Sequence, residues 1–513
     1  MGPGRVRRID WLILLGWSLC IALVRAGTVE DVDPYWQVRA GLENLDGLPL
    51  ARPDTWSWAP VGGLWYPNSP GWNLFLAVAW RGGGFWGLFL LTVASILLYL
   101  LVVIAVSRAL GARPLTILAG MLPLCLAAFA MLSPRGTLAA QTLLLAAIGC
   151  GYWWSRRPST TGATANAGVA LAGGLAFSLA GNWLHLSWAA YSVLVALAWA
   201  VMWLLTPGLG RGRLVGLVLG GTLGLASGVV LGPYGLQSFA RSRVVLEVCR
   251  DLILEWTSPF DSALILRWGP ACVLALGVTA GAVAWCARVL RSRSGDPRLP
   301  LAAALTIVAV PLALAGTIAV RFVGVALLFL VPLCAFGLTV LLGRWRRSAS
   351  RQPPVGVWRH ARMREWVDEG PWRVVLGVLL VVLVPGVLLL AWPHSVPRSA
   401  RAIEALPQGC RLFTPTDESK AALLLRPDVT VWLDGRYDYY GRDRLLAQYR
   451  YLLQPSGNQP VPLGTTCVLV NERSREFDVG PFVQAIADNG GWTRSLDVDG
   501  YSVWVPSTPA ETG

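Results

Sequence analysis

The feature that most constrains this chain is a series of long apolar segments, most of them separated by short arginine-rich loops. Each segment approaches the length of about 17–25 residues that a helix needs to cross a bilayer. The sequence therefore predicts a polytopic α-helical membrane protein with about eleven transmembrane helices, the first of them retained rather than cleaved. The apolar segments lie at about residues 9–24, 84–107, 115–132, 137–154, 167–183, 187–205, 214–232, 267–289, 299–319, 322–343 and 373–392.

The composition supports this class and excludes others. Hydrophobic residues make up 55% of the chain and charged residues only 14%, whereas about 25% of residues are charged in soluble domains. The net charge of +14 comes largely from arginines at the ends of apolar segments, which is the pattern of the positive-inside rule. We therefore expect contact with membrane lipids and no nucleic-acid partner.

The arginine-rich loops also predict an orientation. A cytoplasmic N-terminus places on the inner side the loops near residues 108–113, 155–158, 208–213, 288–298 and 344–372. An odd number of spans then leaves the C-terminal part of the chain outside. Lys420 is the only lysine in the chain, which is typical of a GC-rich bacterial genome. We expect a multi-pass protein of a bacterial plasma membrane.

The predicted domain boundary follows residue 392. Residues 1–392 form a transmembrane domain that includes a long first external loop at residues 28–83. Residues 393–513 are more charged and rich in turn signals, and they predict a small external α/β domain. Cys410 and Cys467 could form a disulfide there, because that compartment is oxidising. The predicted strands and helices lie near residues 411–414, 417–426, 429–433, 440–453, 465–470 and 479–489, followed by a hairpin at 492–505.

The first loop begins with two carboxylates, Asp31 and Asp33, just outside the first predicted helix. Such a pair could supply a general base or bind a divalent cation such as Mg²⁺ or Mn²⁺. Asp33 precedes Pro34 and also fits a helix N-cap, with proline at the first helical position. Asp31 has no such structural role in the sequence. No Cys-x-x-Cys pair is present and the three histidines are far apart, so a zinc site is not expected.

Polar and charged residues recur in the other predicted external turns. A guanidinium at the membrane surface suits a phosphate or diphosphate group, although such a side chain could equally extend to lipid headgroups. His185, beside Asn182, could hydrogen-bond a substrate or have only a structural role. The arginines concerned are Arg135, Arg241, Arg243 and Arg321.

Two further patterns have two interpretations each. Tryptophans crowd the first loop, where they could anchor it at the membrane interface or form a groove for a sugar ring. In the tail, Asp434-Gly435-Arg436 follows a predicted strand and forms either a binding loop or a turn that docks the tail onto the transmembrane domain. The tryptophans are Trp36, Trp56, Trp58, Trp65 and Trp72.

With these motifs in place, the chain resembles bacterial membrane proteins of the GT-C glycosyltransferase type, especially a branch with a small external C-terminal domain. The branch carries an Asp-x-Asp in the first loop, an Asn- and His-containing central turn, Pro-Tyr-Gly, Glu-Trp-x-Ser-Pro and a tail Asp-Gly-Arg-x-Asp. Gln37 and Leu186 depart from that pattern, which has His and Gly there. The matching residues are Asp31, Asp33, Tyr35, Trp36, Arg39, Gly41, Asn182, His185, Tyr234, Glu255, Trp256, Asp434, Arg436 and Asp438.

The resemblance implies a hexosyl- or pentosyltransferase that uses a polyprenyl-phosphate-linked sugar and an envelope glycan, lipid or protein acceptor on the outer face. It implies inversion at the sugar, with Asp31 as base or metal ligand and Asp33 assisting. The external arginines would neutralise the departing phosphate, and the other matched residues would bind substrate. The alternative is a non-catalytic scaffold or a component of lipid or polysaccharide export, in which the carboxylates tolerate substitution.

Overall fold

The protein divides into two compact units in the computed structural model. The helical unit comprises Met1–Thr28, Leu90–Phe239 and Leu254–Trp392, and the mixed unit comprises Val29–Phe89, Ala240–Ile253 and Pro393–Gly513. The mixed unit therefore contains the tail together with the first loop, which the sequence alone had grouped with the transmembrane segments. The structure describes residues 8–27, 31, 33–59, 61–157, 163–250, 253–349, 370–391, 396–474 and 478–507.

Helices dominate the described residues, and every predicted apolar segment coincides with one of them. Eight are long and apolar enough to cross a membrane, and α4 and α7 are shorter apolar helices. The predicted class of polytopic α-helical membrane protein is confirmed. The helices are α1 (Arg8–Gly27), α2 (Asp33–Leu45), α3 (Pro70–Ala109), α4 (Pro114–Ala127), α5 (Gly136–Arg156), α6 (Ala163–Leu184), α7 (Trp188–Leu204), α8 (Arg211–Val230), α9 (Gln237–Cys249), α10 (Ile265–Ser292), α11 (Leu299–Gly316), α12 (Val320–Ala349), α13 (Gly370–Ala391), α14 (Ala400–Glu404), α15 (Thr416–Leu425), α16 (Tyr437–Leu453) and α17 (Gly480–Asp488).

Small residues set the packing of the helical unit. A Cβ atom on Gly220 would lie 2.3 Å from the carbonyl oxygen of Ala167, and one on Gly224 would lie 2.2 Å from that of Leu171. Residues four apart lie on one helix face, so α8 presents a glycine stripe that lets its backbone approach that of α6 closely. The close approach of these two backbones therefore depends on the glycines of α8.

A buried ion pair joins the two ends of the helical unit's chain. Asp10 on α1 is 1% exposed, and its carboxylate pairs with the Arg373 guanidinium on α13. A charge buried among apolar helices needs such a partner. The pair therefore fixes α13 beside α1, where the two helices pack against each other.

The tail of the mixed unit is built on a five-stranded sheet in the order β4-β3-β5-β7-β6. The first three strands are parallel, and β7 runs antiparallel to both β5 and β6. Asp499 and Gly500 both have positive φ, as the two-residue hairpin turn between β6 and β7 requires. The strands are β3 (Arg411–Phe413), β4 (Thr430–Val431), β5 (Cys467–Asn471), β6 (Trp492–Val498) and β7 (Tyr501–Pro506), and the first loop adds β1 (Arg52–Pro53) and β2 (Leu64–Trp65).

The first loop extends this sheet beyond β4. Ser57 pairs in parallel with Val431, the Val431 N–H donates to the Trp56 carbonyl at 2.9 Å, and the Trp58 N–H donates to the Val431 carbonyl at 3.1 Å. An edge strand left open would expose unpaired backbone groups. The loop covers that edge, so loop and tail share one backbone hydrogen-bond network.

A disulfide and a cluster of aromatic side chains stabilise the tail. Cys410 and Cys467 are bonded, with their Cα atoms 6.0 Å apart, which confirms the predicted pairing. The bond joins the starts of the neighbouring strands β3 and β5. Beneath the sheet, Phe413 packs against Trp432 and Phe482, so a conventional core supports the loops that carry the candidate site.

Candidate functional site

The acidic segment of the first loop lies at the start of α2. Asp33 is the first residue of that helix, and its backbone N–H donates to the Asp31 carboxylate at 3.1 Å. The expectation that Asp31 lacks a local structural role is therefore wrong, because its side chain closes the turn before the helix. The Asp33 carboxylate has a distant partner in the tail.

That partner is Lys420 on α15. Its Nζ lies 2.8 Å from Asp33 Oδ1 and 3.1 Å from Asp417 Oδ1, and its side chain is 6% exposed. Burial alone lowers the pKa of Lys420, but the charges of Asp33, Tyr437 and Asp417 outweigh it and raise that pKa well above its ordinary value. Lys420 is therefore a buried ammonium group bound to a first-loop carboxylate.

The divalent cation expected at Asp31 and Asp33 stays a prediction, and the structure places a different cation beside one of these carboxylates. Among the residues that the structure describes, no group of three or more His, Cys, Asp or Glu side chains could hold a metal ion. Beside Asp33, the position that a cation would need is taken by the Lys420 ammonium at 2.8 Å. Like charges at that distance repel strongly in a buried site.

Arg436 is the centre of a second buried network. Its Nε donates to Asp434 at 2.9 Å and its Nη2 to Asp54 at 2.8 Å and to the Tyr440 hydroxyl at 2.7 Å. The Tyr440 hydroxyl donates onward to Asp434 at 2.8 Å and lies 2.6 Å from Ser57 Oγ. The Arg436 side chain is 1% exposed and those of both carboxylates 0%. Of the two interpretations of this turn, the geometry favours docking, here onto the first loop.

The loop tryptophans form part of the same interior. The Arg436 guanidinium carbon lies 4.4 Å from the Trp56 ring centroid and 5.0 Å from that of Trp65. Both rings are buried, as are Trp36 and Trp72. Trp56 and Trp65 therefore lie over a buried cation, and the expected role of the loop tryptophans at the membrane interface or in a sugar groove stays a prediction.

Arg39 on α2 binds the loop to the tail rather than a ligand. Its guanidinium donates to the Leu423 carbonyl at 3.1 Å and to Glu43 at 3.3 Å, and it stacks on Trp56. Glu43 also accepts from the Trp56 indole N–H at 2.7 Å. The first loop is therefore held to α15 by charged hydrogen bonds on one face of α2.

The remaining predicted residues of the mixed unit are Arg241, Arg243 and Asp438, and Asp438 lies near both Arg436 and Arg241. The Arg241 guanidinium stacks 3.2 Å from the Tyr66 ring centroid. Arg243 is exposed and pairs with Glu247 at 2.7 Å on α9. Asp438 on α16 is half-buried, and burial raises its pKa more than the nearby arginines lower it. Arg241 thus makes a cation–π contact, and Arg243 forms an ion pair at the surface.

In the helical unit, four predicted residues from three separate turns come together. Glu255 Oε2 lies 3.2 Å from Arg321 Nη1, and its Oε1 lies 3.8 Å from Arg135 Nη1. The Arg321 guanidinium also stacks on Trp256, 5.3 Å from the ring centroid. All three charged side chains are between 22% and 34% exposed. The cluster is a partly open site in which two guanidinium groups share one carboxylate.

His185 lies close to this arginine cluster. Its Nδ1 is 2.8 Å from Ser187 Oγ and accepts the Ser187 backbone N–H at 3.1 Å. Burial, followed by the charges of Arg321 and Arg135, lowers the pKa of His185 to about 3. The imidazole is therefore neutral at physiological pH and adds no charge to the cluster.

Asn182 and Tyr234 lie in two different parts of the helical unit. The Asn182 side chain is buried and donates to the Ser178 carbonyl at 2.8 Å within α6. Tyr234 lies in the turn before α9, where its carbonyl accepts the Gln237 N–H at 3.1 Å. Their described hydrogen bonds are local, within a helix and a turn.

Sequence reasoning missed the long-range partners of the motifs it found. Asp54 and Tyr440 complete the Arg436 network, and Lys420 pairs with Asp33, yet none of the three was proposed for the site. Lys420 carried a usable signal, because it is the only lysine of the chain and it lies on the apolar pattern of a predicted helix. Asp54 carried none.

Comparison with known proteins gives a likeness in structure only. No protein-family model matches the sequence, and no curated protein matches it. ArnT from Cupriavidus metallidurans bound to undecaprenyl phosphate is 13% identical, with 97% of this chain and 98% of that chain covered and a TM-score of 0.53. An Archaeoglobus fulgidus oligosaccharyltransferase tethered to an acceptor peptide is 11% identical, with 97% and 74% covered and a TM-score of 0.48. The likeness to ArnT establishes that the chain has the GT-C fold.

Proposed function

We propose that the protein is a membrane glycosyltransferase that takes a sugar from a polyprenyl-phosphate-linked donor and transfers it, with inversion, to an envelope acceptor outside the plasma membrane. The observation that carries this proposal is the convergence of Arg135 and Arg321 on Glu255 in a partly exposed site. The GT-C fold, shared with a structure that holds undecaprenyl phosphate, supports it.

The arginine cluster has the chemistry that a phosphate leaving group requires. A guanidinium donates two parallel hydrogen bonds to phosphate oxygens and keeps its charge at any physiological pH. Glu255 pairs with both Arg135 and Arg321, and neutral His185 does not compete for the anion. Such preorganised cations lower the energy of the charge that develops on the departing phosphate.

The base in this proposal is Asp31. In an inverting transfer, the acceptor oxygen attacks the sugar carbon, the bond to the phosphate oxygen breaks, and the base takes the acceptor's proton. Asp33 is bound to Lys420 at 2.8 Å, so its carboxylate would have to give up that partner to accept a proton. We assign Asp33 the role of holding the acidic segment in place.

Binding of the lipid phosphate is tested first. Purified protein in detergent is mixed with undecaprenyl phosphate, and the bound lipid is counted by native mass spectrometry. Arg321→Gln should reduce the affinity about tenfold or more, because a charge-assisted hydrogen bond is worth about 1.5–3 kcal/mol. Arg267→Gln is the matched control, since Arg267 is an exposed arginine of the same unit outside the cluster.

Catalysis is tested separately in cells. Deletion of the gene should increase the pool of one polyprenyl-phosphate sugar, and wild-type protein should restore it. Asp31→Asn should fail to restore the pool while still binding the lipid, because loss of a general base costs about 10²–10⁴ in rate. Equal lipid binding by Arg321→Gln and Arg267→Gln, or full complementation by Asp31→Asn, would favour the non-catalytic scaffold.

A further inference from the structure

Lys420, the only lysine of the chain, lies between two carboxylates, as a bound metal ion often does. Lys420 Nζ contacts one oxygen of Asp33 from the first loop and one of Asp417 from its own helix, at 2.8 and 3.1 Å. Two carboxylates from different segments of a chain around one buried cation resemble the protein ligands of Mg²⁺, which it binds through one or two carboxylates. Here the cation is covalently part of the protein.

The Lys420 side chain packs closely against Gly435 and lies beside an aromatic ring. A Cβ atom on Gly435 would lie 2.5 Å from Lys420 Cε and 3.1 Å from the Trp36 indole nitrogen. The Tyr437 ring centroid lies 5.8 Å from Nζ on another side. Mg²⁺ usually keeps several water molecules, whereas the Lys420 ammonium group, on a side chain that is 6% exposed, meets both carboxylates directly. Gly435 is therefore required for close approach.

Contacts between the tail and the first loop place the Lys420 ammonium group beside Asp33. Lys420 lies on α15, against which α2 packs, and the Arg39 guanidinium bonds the Leu423 carbonyl one turn further along at 3.1 Å. Asp33 begins α2. The lysine thus reaches the acidic segment only when the tail and the loop are assembled.

We infer that Lys420 is a built-in counter-ion that replaces a divalent cation at the acidic segment, so that the site works without a metal. Its catalytic meaning rests on the proposed function, in which Lys420 is a positioning residue that holds the Asp33 carboxylate in place near Asp31 in the chain. Its structural claim, that an ammonium group fills the cation position, can be tested by metal binding alone.

The experiment titrates metal-free, full-length protein with Mn²⁺ and follows free Mn²⁺ by electron paramagnetic resonance, with the melting temperature as a second readout. Wild-type protein should show no saturable site and no shift in melting temperature. Lys420→Met should gain one saturable Mn²⁺ site, because Asp33 and Asp417 then lose the ammonium group that they share. Its melting temperature should be lower than that of wild type and should rise again on Mn²⁺ addition.

Two further variants keep the test decisive if Lys420→Met folds poorly. Lys420→Arg retains the charge and should bind no Mn²⁺, and Asp417→Asn retains the Asp33 pair and should behave as wild type does. A saturable Mn²⁺ site in wild-type protein that Asp33→Asn abolishes would overturn the inference, as would folded Lys420→Met that binds no Mn²⁺. Neither outcome depends on lipid binding or sugar transfer. Failure of this inference can therefore be told apart from failure of the proposed function.

Discussion

At the scale of single residues, the Arg436 guanidinium offers the sharpest test of how the mixed unit is stabilised. Its two carboxylate partners, Asp434 and Asp54, have fully buried side chains. Burial raises the pKa of Asp54, yet the nearby Arg436 brings it below its ordinary value. Removing one member of a buried ion pair costs about 3–5 kcal/mol, because the other charge stays buried and unpaired. We expect Arg436→Met to lower the free energy of unfolding of this unit by about that amount.

The measurement is a thermal melt of the purified protein combined with limited proteolysis of the mixed unit. The control is Arg494→Met, because Arg494 pairs with Glu472 at the surface, where such pairs contribute about 0–1 kcal/mol. Arg436→Met that resisted protease as well as Arg494→Met does would show that the network contributes little to stability.

The contacts of single residues were predictable from the sequence only where the partners lie close together in the chain. The turn of Asp499 and Gly500 follows from two residue types whose positive φ is tolerated. The pairing of Asp33 with Lys420 does not, because nothing in either segment encodes a partner almost four hundred residues away. Asp31 illustrates the opposite error, since its short-range acceptor role at the start of α2 was overlooked.

At the scale of elements, the approach of α8 to α6 predicts opposite effects of one substitution at two glycines. Gly224→Ala places a Cβ atom 2.2 Å from the Leu171 carbonyl oxygen, so the helices must separate, at a cost of about 1–3 kcal/mol. Gly277→Ala on α10 meets nothing within 4 Å and removes a poor helix former, worth up to about 1 kcal/mol. The melting temperature in detergent should fall for Gly224→Ala and stay or rise for Gly277→Ala. The packing argument fails if both variants melt as wild type does.

The elements themselves were largely predictable, because each is encoded by its own periodicity. The apolar segments became helices, and the predicted tail strands and helices appear within a few residues of their expected bounds. The pairing of Ser57 with β4 was not predictable, since a single bridge in a loop has no repeating pattern. The predicted apolar segment begins at residue 84, where α3 is broken at Gly84 with φ of +54°, but the helical part of α3 before that break was missed, because it was assigned to the first loop.

At the scale of the whole molecule, the arginine distribution predicts that the tail is external and the loop after α10 cytoplasmic. Leu463 in the tail is 88% exposed, and Ser294 after α10 is exposed, so both suit cysteine labelling. In a background without the other unpaired cysteines, Leu463→Cys should react with a membrane-impermeant maleimide in intact cells. Ser294→Cys should react only after permeabilisation. The reverse pattern would overturn the orientation and the external site with it.

The mixed unit is assembled from three stretches of chain, Val29–Phe89, Ala240–Ile253 and Pro393–Gly513, and this has a consequence for biosynthesis. The loop is made early, but Lys420 and Arg436 are made late. At about 5–20 residues per second, Asp54 waits roughly 20–80 seconds for its partner to emerge from the ribosome. Meanwhile Trp56 and Trp65 have no guanidinium to enclose and Ser57 has no strand to join. If the mixed unit is external, as the arginine distribution predicts, nascent chains should depend on chaperones outside the membrane until the last quarter of the polypeptide has crossed it.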